Sequence, residues 1–426
     1  MKVICLPAHK LPTKLDSDTK YFSLYSNSGR PNVSFISNGW HRQLERANIA
    51  PSNLVWDFVT IALSVAAADL SCERKNSEDG WTRQIELEVY LCNPEPWKTQ
   101  YDLLEKAFRF LTGDVWKFDF KGNGIKAPSS ILPLETDADC VSLLSGGMDS
   151  LIGAIDLISD RLKPCFVSQE AKGDVEKQKA FTTQLAPAQQ HFKWKNPISN
   201  SGRKESSTRG RSIVFLGYAL LAATTLSKWK TEVVDIYVPE NGFISLNIAL
   251  NSGRLGSLST KTTHPVFLGL IQNIWNNLGI NAKLITPYQF KTKGEMLLDC
   301  KDPDLVQSLV CGTTSCGKYL RYGRTHCGRC LPCMVRRAAF LKAEVEDSTK
   351  YVHNNLNDNE AVKTSGANDI GAVASAYVKY QNKGIERIIG GALSFSSTDD
   401  RCKYAGVVER GLQELGELFK GQKVYD

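Results

Sequence analysis

Apolar and polar residues alternate in several short segments of the N-terminal part of the chain. Residues 19–26 (TKYFSLYS), 84–91 (QIELEVYL) and 115–122 (VWKFDFKG) show this alternation, which predicts strands because successive side chains of a strand face opposite sides of its sheet. Residues 53–70 are long and apolar enough to predict a buried helix. We therefore predict an N-terminal α+β domain over residues 1–135, which ends in a linker rich in Gly, Pro and Ser.

Strands and helices alternate in the following part of the chain. Residues 140–144 (CVSLL), 164–168 (PCFVS) and 233–239 (VVDIYVP) predict strands, with helix-length segments between the strands. Strands separated by helices form a parallel sheet covered on both faces, and ligands bind beyond the carboxyl ends of such strands. The sequence therefore predicts an α/β fold with a doubly wound parallel sheet over residues 138–345, and a mostly helical C-terminal extension over residues 346–426. No internal repeat is recognisable.

Composition and charge restrict the class of protein only broadly. Hydrophobic residues make up 42% and charged residues 23% of the chain, which is ordinary for a globular protein. The formal net charge of +7 is compatible with an anionic ligand but too small to indicate nucleic-acid binding. No signal peptide and no apolar segment of membrane-spanning length is recognisable. We therefore expect a cytoplasmic protein with reduced thiols and with neither a membrane nor a nucleic-acid partner.

A glycine-rich segment, residues 145–150 (SGGMDS), joins a predicted strand to a predicted helix. Two glycines allow a sharp turn and let an anion approach main-chain N–H groups, and the helix N-terminus adds the positive end of its dipole. The segment lacks the Lys of G-x-x-x-x-G-K-[ST] and the spacing of G-x-G-x-x-G. The structural alternative is a tight turn with Asp149 as the helix N-cap.

Four of the 12 cysteines have the spacing of metal ligands. Cys316, Cys327, Cys330 and Cys333 form the pattern C-x10-C-x2-C-x2-C. Four thiolates complete the tetrahedral shell of Zn²⁺ and leave no open position, so we expect a structural zinc ion that stabilises the C-terminal lobe. An iron–sulfur cluster is the alternative, because cysteine thiolates also hold such clusters.

The two motifs together resemble those of the PP-loop ATP pyrophosphatases, and in particular the QueC family, 7-cyano-7-deazaguanine synthase. S-G-G-x-D-S is similar to the PP-loop signature, and Ser315, the four cysteines, Gly328 and Arg336 are similar to the QueC zinc motif. The resemblance implies cleavage of ATP, with Mg²⁺, to AMP and pyrophosphate. The long N-terminal region resembles the QueC-like proteins of bacterial antiphage operons (the QatC type), in which an acyl group is thought to pass to an amine of a partner protein.

The resemblance also implies roles for individual residues. Those implied to bind ATP and pyrophosphate are Ser145, Gly146, Gly147, Met148, Asp149, Ser150, Arg211 and Lys293. Of these, Ser145, Asp149 and Lys293 are implied to be catalytic, with Asp149 either stabilising the loop or helping to hold Mg²⁺. Arg209 and Arg211 lie in a segment similar to the P-G-R-N segment of the family, and Lys293 in one similar to its T-K-x-E segment.

Three residues are predicted to bind the substrate, namely Glu240, Asn241 and His264. They follow the predicted fourth strand of the parallel sheet, where the family contacts its deazaguanine. A carboxylate at Glu240 accepts two hydrogen bonds from the N–H edge of a guanine-like base.

Three functions remain open from the sequence. We predict an ATP-dependent C–N ligase that adenylates a carboxylate similar to 7-carboxy-7-deazaguanine and passes the acyl group to ammonia or to a partner protein, in antiphage defence. A housekeeping 7-cyano-7-deazaguanine synthase of queuosine biosynthesis is a variant of this prediction. The alternatives are a PP-loop tRNA-modifying enzyme with an N-terminal RNA-binding domain, and a non-catalytic scaffold that binds ATP as a switch. The oligomeric state stays open, with a homodimer among the options.

Overall fold

A computed structural model describes residues 1–170, 175–185, 190–195, 198–250, 261–357, 369–422 and 424. Within these residues the chain forms two sheets in which almost all neighbouring strands are parallel. Helices lie between and around the sheets, so the α/β class predicted from the sequence is confirmed.

The first sheet is formed mainly by the N-terminal residues. Its elements are β1 (Lys2–Leu6), β2 (Thr19–Leu24), β3 (Val33–Ile36), α1 (Trp40–Arg46), α2 (Asn53–Ser71), β4 (Gln84–Tyr90), α3 (Pro94–Lys98), α4 (Tyr101–Thr112) and β5 (Val115–Lys121). The strand order is β5-β4-β1-β2-β3, and each neighbouring pair is parallel. This corrects the predicted α+β domain. The alternation in β5 arises because only every second residue is buried, although parallel sheets are usually covered on both faces.

The second sheet follows in the chain and has the order β11-β10-β6-β7-β8, all parallel. Its strands are β6 (Cys140–Leu143), β7 (Pro164–Gln169), β8 (His191–Trp194), β10 (Val234–Tyr237) and β11 (Ala282–Ile285). Its helices are α5 (Met148–Ser159), α6 (Val175–Leu185), α7 (Ser212–Ala223), α8 (Gly242–Leu246), α9 (Pro265–Asn277), α10 (Lys293–Leu298) and α11 (Pro303–Val310). The order of strands reverses beside β6, so the crevice at the carboxyl ends of β6 and β10 is the place where such folds bind ligands.

The two sheets share one strand order, and their equivalent helices pack against each other. In each sheet the first strand lies between the fourth and the second. Helix α2 joins the third and fourth strands of the first sheet, and it packs on α7, which has the same place in the second sheet. Helix α4 packs on α9 in the same way. The chain therefore contains a structural repeat at the level of topology, which the sequence did not reveal.

One continuous core connects the two halves. It includes Trp56 and Phe58 of α2, Leu220 of α7 and Val141 of β6, all buried. A short strand after β8, β9 (Ile198–Ser199), also pairs antiparallel with β3 of the first sheet. Helix α2 is the one described helix that is long and apolar enough to cross a membrane, and 89% of its most apolar window is buried inside the protein.

The C-terminal part, as far as it is described, is mostly helical. Its helices are α12 (Leu331–Lys342), α13 (Asp369–Lys383), α14 (Glu386–Ile389) and α15 (Thr398–Gly421). Helix α15 packs against α12, α13 and α8. The leucines Leu412, Leu415 and Leu418 are buried in this contact, so the repeated leucines of the sequence form a core and not an exposed face.

Candidate functional site

The glycine-rich loop connects β6 to α5 at the carboxyl edge of the second sheet. Gly146 has a φ of 88°, a left-handed conformation that favours glycine. The Ser150 hydroxyl donates to the Gly147 carbonyl at 3.0 Å and accepts from the Ser145 N–H at 3.2 Å. The Ser145 hydroxyl accepts from the Gly147 N–H at 3.3 Å. Residue 147 is the N-cap of α5, so the N-cap role considered for Asp149 is wrong.

Asp149 is the second residue of α5, and its buried carboxylate points to two other elements. One oxygen accepts from the Lys293 ammonium. The other accepts from the Asn241 side chain at 2.7 Å and from the Asn241 N–H at 3.2 Å. Burial opposes ionisation of Asp149, but the Lys293 charge and the hydrogen bonds outweigh burial and lower its pKa below the ordinary value. Asp149 is therefore an ionised carboxylate that connects the loop to the ends of β10 and β11.

Glu240 lies beside Asp149 and has the opposite electrostatic character. Burial, followed by the charge of Asp149, raises the pKa of Glu240 well above its ordinary value. The raised pKa favours the protonated form of Glu240, which hydrogen-bonds to Asp149. A protonated carboxyl presents one O–H donor and a carbonyl acceptor, which differs from the two acceptors expected for a guanine-like base.

Lys293 is positioned by the local sequence around it. Thr292 and Glu295 form a capping box at the start of α10, with the Glu295 N–H donating to Thr292 at 3.1 Å and the Thr292 N–H donating to Glu295 at 2.8 Å. The Thr292 hydroxyl also donates to Glu414 of α15. These contacts fix the first turn of α10, so the C-terminal extension supports the side chain that pairs with Asp149.

A cavity of about 560 Å³ opens at the crevice between β6 and β10. The predicted site residues that line it are Ser145, Gly147, Met148, Asp149, Ser150, Glu240 and Lys293. Gly146 adjoins them, and its carbonyl accepts from the Thr314 N–H at 3.0 Å. Apolar side chains such as Phe243 and Leu331 complete the wall. An apolar pocket with a few convergent charged groups is typical of a small-molecule site.

Two predicted substrate residues have structural roles. The Asn241 side chain bonds Asp149, and its oxygen accepts from the Ile244 N–H at 3.0 Å to cap α8. His264 caps α9 by accepting from the Val266 N–H at 3.2 Å. Its ring lies between those of Phe110 and Phe395, outside the residues that line the cavity. Burial lowers the pKa of His264 to about 4, so this side chain is neutral.

The two predicted arginines face different surroundings. The Arg209 N–H donates to the Asp69 carboxylate at 2.6 Å, and its guanidinium donates to the Thr112 carbonyl at 3.0 Å. Arg209 is thus bound to α2 and α4 of the N-terminal half. Arg211 lines a second cavity of about 730 Å³, between α2 and residues 316–321.

The four predicted metal ligands meet at one point. The sulfur atoms of Cys316, Cys327, Cys330 and Cys333 all lie within 4.8 Å of one another, and the four residues are buried. Backbone N–H groups of Lys318 and Cys327 each approach the Cys316 sulfur to 3.3 Å, and the Cys330 N–H approaches the Cys327 sulfur to 3.3 Å. N–H donors of this kind stabilise thiolates. The cluster could therefore hold a metal ion such as zinc.

The cysteine cluster adjoins the cavity of the glycine-rich loop. Cys330, Gly317 and Lys318 line that cavity. The buried Arg336 of α12 donates to the Val310 carbonyl and the Thr349 hydroxyl, each at 2.9 Å. It thereby holds the segment that leads to Thr314. Lys318 and Thr314 were missed from the sequence, although their closeness to Cys316 was a usable signal.

Comparison of the chain with models of protein families, with curated proteins and with solved structures gave no match. The loop, the ion pair, the cavity and the cysteine cluster together form the candidate functional site.

Proposed function

We propose that this chain is an ATP-dependent ligase that adenylates the carboxylate of a 7-deazaguanine, releases pyrophosphate, and passes the acyl group to ammonia or to an amine of a partner protein. The observation that carries the proposal is the convergence of residues 145–150, Lys293 and Glu240 on one cavity at the strand-order reversal. The spacing S-G-G-x-D-S, similar to the PP-loop signature, supports cleavage between the α and β phosphates. We propose the PP-loop ATPase fold on the same grounds.

In the proposed first step, a carboxylate oxygen of the substrate attacks the α-phosphorus of ATP. The bond from that phosphorus to the bridging oxygen breaks, and pyrophosphate leaves with the electron pair. Main-chain N–H groups of the loop and the N-terminus of α5 bind the pyrophosphate. Lys293 lines the same cavity, and its ammonium is bonded to Asp149 beside the loop.

In the proposed second step, the amine nitrogen attacks the acyl carbon of the adenylate. The carbon–oxygen bond to AMP breaks, and the nitrogen loses a proton to solvent or to a carboxylate. The raised pKa of Glu240 favours its protonated form, whose single O–H bonds to Asp149, so we propose that its other oxygen accepts a hydrogen bond from the substrate and that Glu240 is not the base.

The two proposed metal ions, Mg²⁺ and Zn²⁺, would be held by different groups. Asp149 already accepts from Lys293 and Asn241, so of the two roles considered for it we propose that it holds the loop and Lys293. Mg²⁺ would neutralise charge on the phosphates and be held chiefly by their oxygens. The four cysteines fit a closed tetrahedral Zn²⁺ site, which would supply stability and not chemistry.

The proposal is tested by incubating the protein with ATP, Mg²⁺ and 7-carboxy-7-deazaguanine, with and without ammonia, and measuring AMP and pyrophosphate. We expect substrate-dependent AMP formation that is lost in Ser145→Ala/Asp149→Ala. The exposed Ser17 provides the control Ser17→Ala, which should behave as the wild type. Formation of ADP, or no nucleotide cleavage with any carboxylate or amine offered, would reject the proposal.

A further inference from the structure

The residues predicted to bind ATP are divided between two cavities. The loop and Lys293 line the first cavity, whereas Arg211 lines the second. Both cavities are bounded by the same three residues of the segment around Cys316, namely Thr314, Gly317 and Lys318. A ligand that reaches both the loop and Arg211 must therefore pass this segment, and Lys318 provides its cationic side chain.

The charges of the first cavity require a further cation for an anionic ligand. Among the described residues that line this cavity, Lys293 is already balanced by Asp149. Lys318 is half-buried there, and none of the ion pairs within the described part of the chain involves it. An ammonium group has three donors for phosphate oxygens.

Backbone hydrogen bonds hold both ends of the segment 314–318, which carries Lys318. The Lys318 N–H donates to the Cys316 sulfur at 3.3 Å, and the Thr314 N–H donates to the Gly146 carbonyl at 3.0 Å. The segment thus runs from the glycine-rich loop to the cysteine cluster. A metal ion on the cysteines would therefore also set the position of Lys318.

We propose that Lys318 binds the phosphates of the nucleotide where the two cavities meet, an inference that rests on the proposed function. The cysteine cluster then has a role beyond stability, because it positions a residue that contacts the ligand. Lys318 supplies a positive charge for the phosphates, because the charge of Lys293 is balanced by Asp149.

The test measures binding of inorganic pyrophosphate with Mg²⁺ by titration calorimetry, together with metal content by mass spectrometry. Lys318→Ala should weaken pyrophosphate binding by about 10- to 100-fold, the loss expected for one charge-assisted contact. Lys318→Arg should keep most of the affinity. The matched control is Arg324→Gln on the same segment, an exposed residue outside the lining of both cavities. All three variants should keep the metal content of the wild type.

The outcomes separate this inference from the proposed function. Unchanged pyrophosphate affinity in Lys318→Ala, with AMP formation by the wild type intact, would overturn the role of Lys318 alone. Equal losses in Lys318→Ala, Lys318→Arg and Arg324→Gln, or loss of metal in Lys318→Ala, would assign the effect to the fold of the segment and also overturn it. A wild-type protein that neither binds pyrophosphate nor forms AMP would overturn both.

Discussion

Lys293 and Asp149 form an ion pair that is almost completely removed from water, with 8% and 6% of their side chains exposed. The two residues are 144 positions apart in the chain and meet where β6, β10 and α10 come together. The pair links the glycine-rich loop to the helix that the C-terminal extension supports through Thr292 and Glu414. Removing one partner would leave an uncompensated charge in a buried place.

The first prediction concerns this ion pair. Asp149→Asn should lower the free energy of unfolding by about 3–5 kcal/mol, because the Lys293 charge stays buried without its partner. Adding Lys293→Met should recover part of that loss. Chemical denaturation measures both variants. Lys301 and Asp160 form an exposed pair, so the control Lys301→Met should cost less than about 1 kcal/mol. Equal costs for Asp149→Asn and Lys301→Met would contradict the assigned burial.

The second prediction concerns the pH dependence of stability. Burial raises the pKa of Glu414 from 4.5 to about 7, so the folded protein holds this proton more tightly than the unfolded chain. Ionising this buried carboxyl lowers the free energy of unfolding. The loss is absent below pH 4.5, grows as the pH rises, and is complete above pH 7. Glu414→Gln keeps the acceptor for Thr292 and should be more stable than the wild type at pH 8, by up to about 3 kcal/mol.

The check on Glu414 is the difference in unfolding free energy between variant and wild type, measured from pH 4.5 to 8. The difference should widen with rising pH. A difference that is constant over this range would show that Glu414 titrates normally.

The third prediction concerns the cysteine cluster. We expect about one zinc ion per chain, bound by a protein without visible absorbance. Cys330→Ser should lose the metal and lower the midpoint of thermal unfolding by on the order of 10 °C, because binding energy at a structural site is also folding energy. Cys402 is exposed, so Cys402→Ser should change neither quantity. Iron in the protein, together with visible absorbance, would contradict the zinc assignment and support the iron–sulfur cluster.

The fourth prediction concerns Gly242, which follows Glu240 and Asn241. A Cβ on this residue would lie 2.1 Å from the Gln289 carbonyl oxygen, which is backbone and cannot turn aside. Gly242→Ala should therefore destabilise the protein by about 1–3 kcal/mol and weaken pyrophosphate binding through displacement of Asn241. Gly269 of α9 has open space around it, so Gly269→Ala should be neutral or slightly stabilising. Thermal unfolding of both variants decides the point.

Local patterns predicted most elements of the fold. The segments 84–91 and 115–122 contain β4 and β5, and the helix predicted over residues 53–70 is α2. Strand pairing was not predictable in the same way, because it depends on contacts between distant residues. The first strand, β1, is short and was not identified. The parallel order of the first sheet and its likeness to the second became visible only in three dimensions.

The candidate site, like the fold, was predictable where it depends on local sequence and not where it depends on contacts between distant residues. Residues 145–150 and the four cysteines were found because their chemistry is concentrated in short motifs. The partnership of Asp149 with Asn241, and the position of Lys318 at two cavities, depend on the meeting of separate elements. His264 was predicted to bind substrate, but the structure shows that it caps helix α9. Glu240 was identified, but its raised pKa follows from its burial and from the charge of Asp149, neither of which is visible in the sequence.

The most direct test of the central claim follows one oxygen atom. The protein is supplied with ATP and 7-carboxy-7-deazaguanine labelled with ¹⁸O in the carboxylate, and an amine acceptor, either ammonia or the partner protein. The AMP formed is analysed by mass spectrometry. Adenylation predicts that one ¹⁸O passes from the carboxylate to the phosphate of AMP, because that oxygen bridges the acyl carbon and phosphorus. AMP without the label, or ADP in its place, would contradict the account.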